Sequence, residues 1–494
     1  MNTLRGVYLL SLCVSVSLLA ACGSSGGSDE DNDTTPPTAT ALPGSGGVLA
    51  AADGAVTITF SESMNPASLV LGGSLAPLSD GGVWSAVATA NDTLTVSPAT
   101  EWDTGTGTMT VDAADPSGNA LATLDLSYAI PLLLSTFQAA DVVIGQADFS
   151  GQAPNQGGAV GANTVGFTVG APSRGSLYLA DQMNNRILGF NTIPTTSNAN
   201  ADFVIGQADF SGDAGGTAAS AFSNPVYTAT AEGRLFVSDF DNQRVLIWNS
   251  LPTGNTPADV VVGASDFTTP GAGGASQTTF DRPIGIAVAG QRLFVTDPEN
   301  NRVLIWNAIP TVNGAPADVV LGQANFTDNA SGVSASALSQ PGGVWSDGTH
   351  VAVADTGNNR VLIWNALPTT NSAPADVVIG QPDFNSSTPA AGAQGLNRPF
   401  GVHSNGLQLF VSDNGNNRLL VYDELPTSNQ PSADLVIGQS TFTNVAPDDD
   451  DQDGSQDAAP SARTLALPIG VTTIGNNLFV ASNANSRVLI YRGQ

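Results

Sequence analysis

Apolar and polar residues alternate in short runs along the first part of the chain, and clusters of Gly, Pro, Asn and Asp separate the runs. Residues 56–60 (VTITF), 93–97 (TLTVS) and 108–112 (TMTVD) alternate with a period of two, as strands with one buried face do. Residues 36–130 hold several such runs, and this length suits a small β-sandwich. The pattern predicts short strands throughout and an all-β fold.

A longer pattern recurs in the second part of the chain. Its arginine falls, at steps of 58, 58, 58, 58 and 69 residues, at Arg186, Arg244, Arg302, Arg360, Arg418 and Arg487. Each unit carries a Pro-x-Gly-Val-like segment, LFVSD, a turn, RVLIW and ADVVIGQ, which together predict four short strands. A single four-stranded sheet cannot bury both faces, whereas a ring of sheets can. Residues 138–494 are therefore predicted to form a six-bladed β-propeller.

The two ends of this array predict how the ring closes. Residues 140–149 (ADVVIGQADF) precede the first full unit, and the chain ends after RVLIYRGQ without a strand of that kind. We therefore expect the early strand to complete the last sheet, which removes an open sheet edge.

Two families resemble these segments. The Pro-x-Gly-Val strand, the LFVSD strand and the NNR turn before RVLIW resemble the NHL repeat, although Thr164 replaces the first proline and Ser482 the last aspartate. The NHL resemblance implies a fold shared by protein-binding modules, RNA-binding modules and a few enzymes, so it selects no function by itself. TTPPTAT, FSESMNPASL and DPSGNAL resemble the bacterial Ig-like domain of S-layer and other surface proteins, which implies a spacer or adhesive module.

The N-terminal residues predict export. Residues 1–22 combine Arg5, an apolar stretch and LAAC ending at Cys22, as in a secretory signal. LAAC resembles the bacterial lipobox, which implies a lipid anchor on Cys22, and Gly23 implies the outer membrane, on either its periplasmic or its surface face. The alternative is an ordinary signal peptide with an incidental cysteine. Residues 23–35 (GSSGGSDEDNDTT) offer nothing apolar to bury and predict a flexible acidic tether.

The charge balance excludes two classes of partner. The chain has 14 Lys and Arg against 43 Asp and Glu, a formal net charge of −29. Such a surface repels nucleic acid and anionic lipid headgroups, favours solubility and attracts cations. We expect a monomer whose membrane contact is the lipid anchor.

The repeated turn predicts structure rather than catalysis. In DTGNNR, Asp355 and Arg360 are expected to pair across a hairpin in which Gly357 and Asn358 take positive φ. The same pair recurs as Asp181–Arg186, Asp239–Arg244, Asp297–Arg302, Asp355–Arg360 and Asp413–Arg418. A catalytic site needs a unique constellation, so we interpret these as structural ion pairs. The aromatic residue four positions after each arginine is predicted to be core.

The last unit holds an acidic insert, DDDDQDGSQDAAP, at residues 448–460. Its candidate calcium ligands are Asp449, Asp451, Asp453 and Asp457. Oxygen ligands at alternate positions followed by Gly454 suit calcium, and the spacing resembles the DxDxDGxxD unit of thrombospondin type 3 repeats. The alternative is a solvated acidic loop. We expect at most a structural calcium ion and no other cofactor.

A second candidate site is the mouth of the predicted propeller. The residue before each repeated proline lies on the loop that enters the innermost strand, and the candidates are Asn224, Arg282, Gln340 and Arg398. Arginines there can hold a carboxylate or a sugar in a concave mouth. The alternative is that they pair with neighbouring aspartates.

Few residues suggest catalysis. There are two histidines: His350 is expected in an exposed turn, and His403 is expected to pack between blades. Two histidines cannot form the zinc sites of amidating lyases, and only Asp347 is acidic on the predicted inner strands. We therefore predict no catalytic residues and no enzymatic activity.

The sequence thus predicts an exported, membrane-anchored binding or scaffold protein whose propeller loop face engages a protein, peptide or glycan. One alternative is a calcium-dependent, lactonase-like hydrolase or lyase that uses the propeller pore. The other is an outer-membrane structural protein with no specific ligand.

Overall fold

The computed structural model describes residues 33–494 apart from residues 167, 174 and 175. The predicted signal peptide, Cys22 and residues 23–32 of the predicted tether lie outside the described residues. Within the described part of the chain, no helix has the length and apolar content that crossing a membrane requires.

Residues 39–130 contain two four-stranded sheets. Their strands are β1 (Ala39–Leu42), β2 (Gly47–Val48), β3 (Val56–Phe60), β4 (Val70–Gly72), β5 (Val83–Ser85), β6 (Thr93–Val96), β7 (Gly105–Asp112) and β8 (Leu124–Ile130). The sheet orders are β1-β3-β6-β5 and β2-β8-β7-β4. Ile58, Met109 and Trp102 share one buried apolar cluster that draws on both sheets. Alternate residues of β3 and β7 are buried, which confirms the period-two pattern.

Six further sheets follow, each with four antiparallel strands. The strands are β9 (Val142–Ile144), β10 (Thr168–Ser173), β11 (Ser176–Asp181), β12 (Arg186–Phe190), β13 (Phe203–Ile205), β14 (Pro225–Ala231), β15 (Arg234–Asp239), β16 (Arg244–Trp248), β17 (Val260–Val262), β18 (Ile286–Ala289), β19 (Arg292–Asp297), β20 (Arg302–Trp306), β21 (Val319–Leu321), β22 (Pro341–Ser346), β23 (Val351–Asp355), β24 (Arg360–Trp364), β25 (Val377–Ile379), β26 (Pro399–Ser404), β27 (Leu409–Asp413), β28 (Arg418–Tyr422), β29 (Leu435–Ile437), β30 (Pro468–Ile474), β31 (Asn477–Ser482) and β32 (Arg487–Arg492). Sheets 1 to 5 take four consecutive strands each from β10 onward, and sheet 6 has the order β30-β31-β32-β9.

The helical segments among the described residues are short 3₁₀ turns. They span Pro66–Ser68, Ala76–Leu78, Pro154–Gly157, Gln182–Asn184, Pro298–Asn300, Thr356–Asn358, Asn414–Asn416 and Asn483–Asn485. Five of them connect the second and third strands of a sheet, where the repeated Asp-to-Arg turn lies. Because these helical segments are single short turns in the connections between strands, the fold is all-β, as predicted.

The first strands of the six sheets follow one another in space. β10 contacts β14, β14 contacts β18, β18 contacts β22, β22 contacts β26 and β26 contacts β30, and β30 in turn contacts β10. β9 completes sheet 6 by pairing with β32, with Val143 opposite Leu489. This pairing confirms that the early strand joins the last sheet.

The core lies between neighbouring sheets. Leu188 of sheet 1 and Ile490 of sheet 6, for example, share one apolar cluster with Val142. The aromatic residues four positions after the repeated arginines are 0–3 % exposed: Phe190, Trp248, Trp306, Trp364, Tyr422 and Tyr491. This burial confirms that the aromatic column is packing and no stacking platform for ligands.

The predicted hairpin geometry is wrong in one respect. Gly357 and Asn358 do not take positive φ, because Thr356–Asn358 form a 3₁₀ turn and the left-handed residue is Asn359, with φ 54°. Asn358 instead donates a 2.8 Å hydrogen bond from Nδ2 to Asp355 Oδ2. The two asparagines thus have different roles: Asn358 binds the carboxylate, and Asn359 adopts the left-handed conformation that lets the chain turn back.

Five buried ion pairs hold these turns. In sheets 1 to 5 the arginine Nε lies 2.7–2.8 Å from the aspartate Oδ2, and both side chains are 0 % exposed. In sheet 4, Asp355 Oδ1 also accepts from Ser339 N at 2.7 Å, and Arg360 Nη1 donates to the carbonyl of Phe384 at 2.5 Å. Each pair therefore ties its turn to the loop before the first strand and to the loop after the fourth.

Burial of the carboxylates opposes their ionisation. It raises the pKa of Asp239 and of Asp297 to about 6, while the paired arginine and the hydrogen-bond donors around each carboxylate lower it. The repeated residues are thus a structural network in which removing one partner leaves a buried group uncompensated.

Sheet 6 lacks the usual aspartate, because Ser482 stands in its place. Asp448, the first residue of the acidic insert, is 1 % exposed, and its Oδ1 accepts from Asn485 Nδ2 at 2.8 Å. Asn485 is the counterpart of Asn358, and its partner in sheets 1 to 5 is the repeated aspartate. The negative charge of Asp448 also acts on buried Arg487. Asp448 therefore supplies, from a different segment, the carboxylate that accepts from Asn485 and a negative charge that acts on Arg487, while among the described residues Arg487 Nε has no hydrogen-bond partner.

This substitution of one carboxylate for another can be tested by exchange. We expect Asp448→Ala to lower the free energy of unfolding by about 3 kcal/mol, because the buried negative charge that acts on Arg487 is lost. Adding Ser482→Asp to that variant should restore most of the loss. Guanidinium unfolding followed by fluorescence measures both effects.

The matched control is Asp450→Ala, which removes the neighbouring aspartate and its exposed 3.1 Å pair with Arg463. A surface pair of this kind contributes about 0–1 kcal/mol. Equal effects of Asp448→Ala and Asp450→Ala, or no rescue by Ser482→Asp, would show that Asp448 does not replace the missing aspartate.

Candidate functional site

The ring of sheets has two ends. At the loop end, the chain enters the first strand of each sheet, and the Asp-to-Arg turns lie there because the second strand runs back antiparallel to the first. At the turn end, a short connection such as residues 405–408 joins the first strand to the second. Residues that precede the first strands therefore lie at the opposite end from these connections.

The four predicted mouth residues lie at the loop end, directly before the repeated prolines, and all have positive φ. The φ values are 60° for Asn224, 62° for Arg282, 47° for Gln340 and 50° for Arg398. Three of their backbone N–H groups donate to an asparagine of the preceding sheet's turn, at 2.7–2.9 Å. Their backbones thus join neighbouring sheets, a role that the sequence did not reveal.

The two arginines at the loop end differ in their surroundings. Arg282 Nε lies 4.0 Å from Asp241 Oδ1, and the guanidinium lies 5.6 Å from the centre of the Phe240 ring. The alternative of pairing with a neighbouring aspartate therefore applies to Arg282. The Arg398 side chain occupies the equivalent position in sheet 5 and is exposed.

The Ig-like domain contacts the turn end. Thr104 Oγ1 donates to the carbonyl of Gly475 at 2.9 Å, and Thr106 Oγ1 lies 3.5 Å from the carbonyl of Gly406. Asn476 N donates to Glu101 Oε1 at 3.4 Å. These contacts come from the connections after the first strands of sheets 5 and 6. They lie at the opposite end from the four predicted mouth residues.

A cavity of about 440 Å³ lies where the Ig-like domain meets the turn end. Its lining includes Asp103 of the Ig-like domain together with Trp345, Asp347, His403 and Thr473 of sheets 4 to 6. A second cavity, of about 220 Å³, runs along the first strands of sheets 2 to 6 and shares three of these residues. From the sequence, His403 was expected to pack between blades and Asp347 to lie near a turn. No sequence feature indicated that the Ig-like domain would form a cavity together with these two residues.

The two histidines have different environments. His350 Nδ1 lies 2.8 Å from Asp347 Oδ2, and each side chain is 32 % exposed. His403 Nε2 lies 2.9 Å from Thr473 Oγ1 of the next sheet, so it bridges sheets as well as lining both cavities. Burial lowers the pKa of His403 to about 4, so that its imidazole is neutral at neutral pH.

A pH titration tests this burial. We expect the His403 imidazole resonance in NMR to titrate near pH 4, since burial disfavours the charged form. Because the folded pKa lies below the ordinary value of 6.5, His403 contributes stability that is present above pH 6.5 and is lost as pH falls toward 4. A His403 midpoint near 6.5 would contradict the burial of its imidazole, and the His350→Gln variant identifies which resonance belongs to His403.

The acidic insert brings three of its four predicted ligands together. Carboxylate oxygens of Asp449, Asp451 and Asp453 lie within 4.8 Å of one another. The loop curls around buried Asp449, which accepts from Gly454 N at 2.9 Å. Asp457 Oδ2 instead accepts from Asp450 N at 2.8 Å, so Asp457 stabilises the backbone of the loop and is not one of the three clustered carboxylates.

A second group of carboxylates was missed by the sequence analysis. Asp33, Glu62 and Asp115 of the Ig-like part place carboxylate oxygens within 4.8 Å of one another. They are far apart in sequence, so no local spacing could have revealed them. Burial, together with proximity to Asp33 and Asp115, raises the pKa of Glu62.

Solved structures similar to this chain include propeller-type proteins. The PQQ-bound aldose sugar dehydrogenase of Streptomyces coelicolor is 12 % identical, with 68 % of this chain and 96 % of that chain covered and a TM-score of 0.36. A glucose dehydrogenase-type oxidoreductase of a Thermus species is 15 % identical, with 70 % and 98 % covered and a TM-score of 0.37. The nidogen/laminin complex matches at 16 % identity, with 55 % and 83 % covered and a TM-score of 0.32.

These similarities correct one prediction. The expectation that the chain has no enzymatic activity is contradicted, because two of the similar structures are sugar dehydrogenases. Likeness at this level transfers no substrate or cofactor to this chain.

Among curated proteins, none matches the chain. Residues 33–129 match the family model of the bacterial Ig-like domain, which confirms the sequence resemblance for the first part of the chain.

Proposed function

We propose that this chain is an exported, lipid-anchored binding protein in which six NHL-type blades form a β-propeller and the loop end engages a protein, peptide or glycan. The six four-stranded sheets, their cyclic order of contacts and the pairing of β9 with β32 support the six-bladed interpretation. The LAAC sequence that ends at Cys22 supports the anchor, and the outer membrane remains the proposed location.

The position of the Ig-like domain carries the binding proposal. Its contacts with Gly475, Gly406 and Asn476 occupy the turn end, and the loop end is opposite. An anchor N-terminal to the Ig-like domain would then hold the turn end nearer the membrane and direct the loop end outward. Exposed Arg282, Gln340 and Arg398 lie on that outward end.

Envelope binding tests the proposal. We expect the soluble form, residues 23–494 without the lipid anchor, to bind saturably to isolated cell-envelope material, and Arg282→Ala/Arg398→Ala to weaken that binding about tenfold, since two exposed cations at a polar rim are lost. The control is Arg234→Ala/Arg492→Ala, which removes the same charge elsewhere on the surface. Binding that falls equally in both double variants reflects net charge alone, and absence of saturable binding supports the structural-protein alternative.

We also propose calcium as a structural ion of the acidic insert, held by Asp449, Asp451 and Asp453. The proximity of these three carboxylates supports it, and the position of Asp457 limits its part to bracing the loop. Calcium should raise the melting temperature of the wild-type protein and leave that of the triple Asp→Asn variant unchanged. The control variant replaces Asp33 and Asp115 by Asn and Glu62 by Gln. If calcium failed to raise the melting temperature of this variant alone, the calcium site would lie in the Ig-like part instead.

We also propose a second candidate function, a hydrolase or lyase whose reaction takes place in the cavity between the Ig-like domain and the turn end. The observation that favours it is that His403 and Asp347 line one 440 Å³ cavity. Lactone and ester substrates should then be turned over by the wild-type protein and not by His403→Gln. Equal rates in the two proteins would remove this candidate.

A further inference from the structure

The segment that joins the Ig-like domain to the ring is packed and hydrogen-bonded. Residues 131–140 (PLLLSTFQAA) connect β8 to β9. Leu132 is fully buried and belongs to the apolar cluster of sheets 5 and 6 that also contains Val143 of β9. Further along, Phe137 N donates to the carbonyl of Val436 in sheet 5 at 2.9 Å. A flexible linker is solvated along its length, whereas this segment is a structural part of sheets 5 and 6.

One glutamine of the ring holds this segment. Gln408 is buried in the connection between the first two strands of sheet 5. Its Oε1 accepts from Leu132 N at 2.8 Å, and its Nε2 donates to the carbonyl of Leu132 at 3.2 Å. The equivalent positions of sheets 2, 3 and 4 are Arg234, Arg292 and His350. A single amide therefore satisfies both backbone groups of a buried linker residue, and the repeat itself does not require that amide.

The Ig-like domain itself touches the ring through its backbone at Gly105. This residue begins β7 with φ 118°, and a Cβ atom added there would overlap the carbonyl oxygen of Asn405 in the same connection of sheet 5. Only glycine permits two backbones to approach so closely. The threonines on either side of Gly105 form the contacts with Gly475 and Gly406 that are described above. The two parts of the chain thus meet through main-chain atoms, which have no rotamers to change.

We propose that the Ig-like domain and the ring form one rigid body, in which the Ig-like domain is a fixed support locked onto sheets 5 and 6 by Gly105 and by residues 131–140. Domains of one chain move relative to each other by default, and a Gly- or Ser-rich linker permits that motion. Here Gly105 lies opposite Ile130 in the β7–β8 pairing, so the backbone contact and the buried linker hold the same end of one sheet. The fold would then set the direction of the loop end relative to the anchor, a consequence that rests on the function proposed above, whereas the rigidity itself does not.

Distances between two spin labels, measured by pulsed electron paramagnetic resonance, test the proposal on the soluble form, residues 23–494. The chain after Cys22 contains no cysteine, so Val87→Cys/Val312→Cys labels one exposed site in the Ig-like domain and one in the ring. We expect one narrow distance distribution, as narrow as that of Val312→Cys/Val445→Cys, whose labels both lie in the ring. A distribution about twice as wide between the two parts, or several separate distances, would overturn the proposal.

Two glycine variants separate the contact from backbone strain. Gly105→Ala should widen the distance distribution between the two parts about twofold, because the added methyl group cannot coexist with the Asn405 carbonyl. Gly118→Ala is the matched control in the same domain: its φ is 91°, but among the described residues no atom lies within 4 Å of the added Cβ. An unchanged distribution in Gly105→Ala, or equal widening in both variants, would contradict the proposal.

A variant on the ring side keeps the test valid if Gly105→Ala disturbs the Ig-like domain itself. Gln408→Ala leaves that domain intact and should also widen the distribution, whereas Arg234→Ala at the equivalent position of sheet 2 should not. A narrow distribution in Gln408→Ala would show that residues 131–140 are no part of the rigid unit and would overturn the proposal. Both Gly105→Ala and Gln408→Ala should bind cell-envelope material as the unaltered soluble form does, because neither changes the loop end. Loss of rigidity and loss of binding are therefore distinguishable.

Discussion

Replacing Arg360 by leucine should lower the free energy of unfolding by about 3–5 kcal/mol, which is the cost of leaving one partner of a buried ion pair alone. Arg360 is 0 % exposed and donates to Asp355 Oδ2 and to the carbonyls of Phe384, Ser334 and Ala337. The substitution therefore removes four hydrogen bonds and leaves Asp355 buried without its countercharge. Chemical denaturation measures the difference in the free energy of unfolding. The comparison requires that this free energy depend on denaturant concentration with the same slope in both proteins.

Two companion variants separate this network from a general effect of losing arginine. Arg398→Leu removes an exposed arginine on the same end of the ring and should change stability by about 0.5 kcal/mol or less. Adding Asp355→Asn to Arg360→Leu should recover part of the loss, because the uncompensated charge disappears. Similar losses in Arg360→Leu and Arg398→Leu would contradict a structural role for the repeated pair.

Replacing Val143 by aspartate should destabilise the ring by more than about 4 kcal/mol, because it buries an unpaired charge in the strand that joins the two ends of the array. Val143 is 0 % exposed, lies opposite Leu489 and shares an apolar cluster with Phe410 of sheet 5. Opening this strand exposes the edge of β32 and one side of that cluster. A large fall in melting temperature and new proteolytic cleavage near residue 143 are the expected results.

The matched control places the same substitution at an exposed valine. Val87 of the Ig-like domain is 79 % exposed, so Val87→Asp should leave the melting temperature within about 1–2 °C of the wild type. If Val143→Asp behaved like Val87→Asp, β9 would contribute little to sheet 6 and the ring would not depend on its closing strand.

The fold was predictable to the extent that its determinants repeat along the sequence. The spacing of Arg186 to Arg487 marked one strand in each sheet, and the lone early ADVVIGQ segment indicated the β9–β32 pairing. The period-two runs marked the strands of the Ig-like part. In each case a strand that is buried on one face or on both has a characteristic spacing of apolar residues, and this spacing can be read from the local sequence.

The remaining features depend on contacts between distant segments. Asp448 replaces the missing carboxylate at Ser482 from 34 residues away, and no spacing rule links the two positions. The cavity residues Asp103, Asp347 and His403 come from three separate sheets or loops, so their meeting required the docking of the Ig-like domain. The turn was misassigned for a local reason, since Gly357, Asn358 and Asn359 all tolerate positive φ, and the hydrogen bond between Asn358 and Asp355 that accompanies positive φ at Asn359 cannot be read from the sequence.

The proposal that the loop end faces outward and binds a partner is tested most directly by site-specific photo-crosslinking in cells. A photoreactive amino acid would replace Arg398 at the loop end in one variant and Gly233 at the turn end in another. We expect a discrete, saturable crosslinked product from position 398 and none from position 233. A product from position 233 alone would contradict it, because the binding face would then lie at the end that the Ig-like domain contacts.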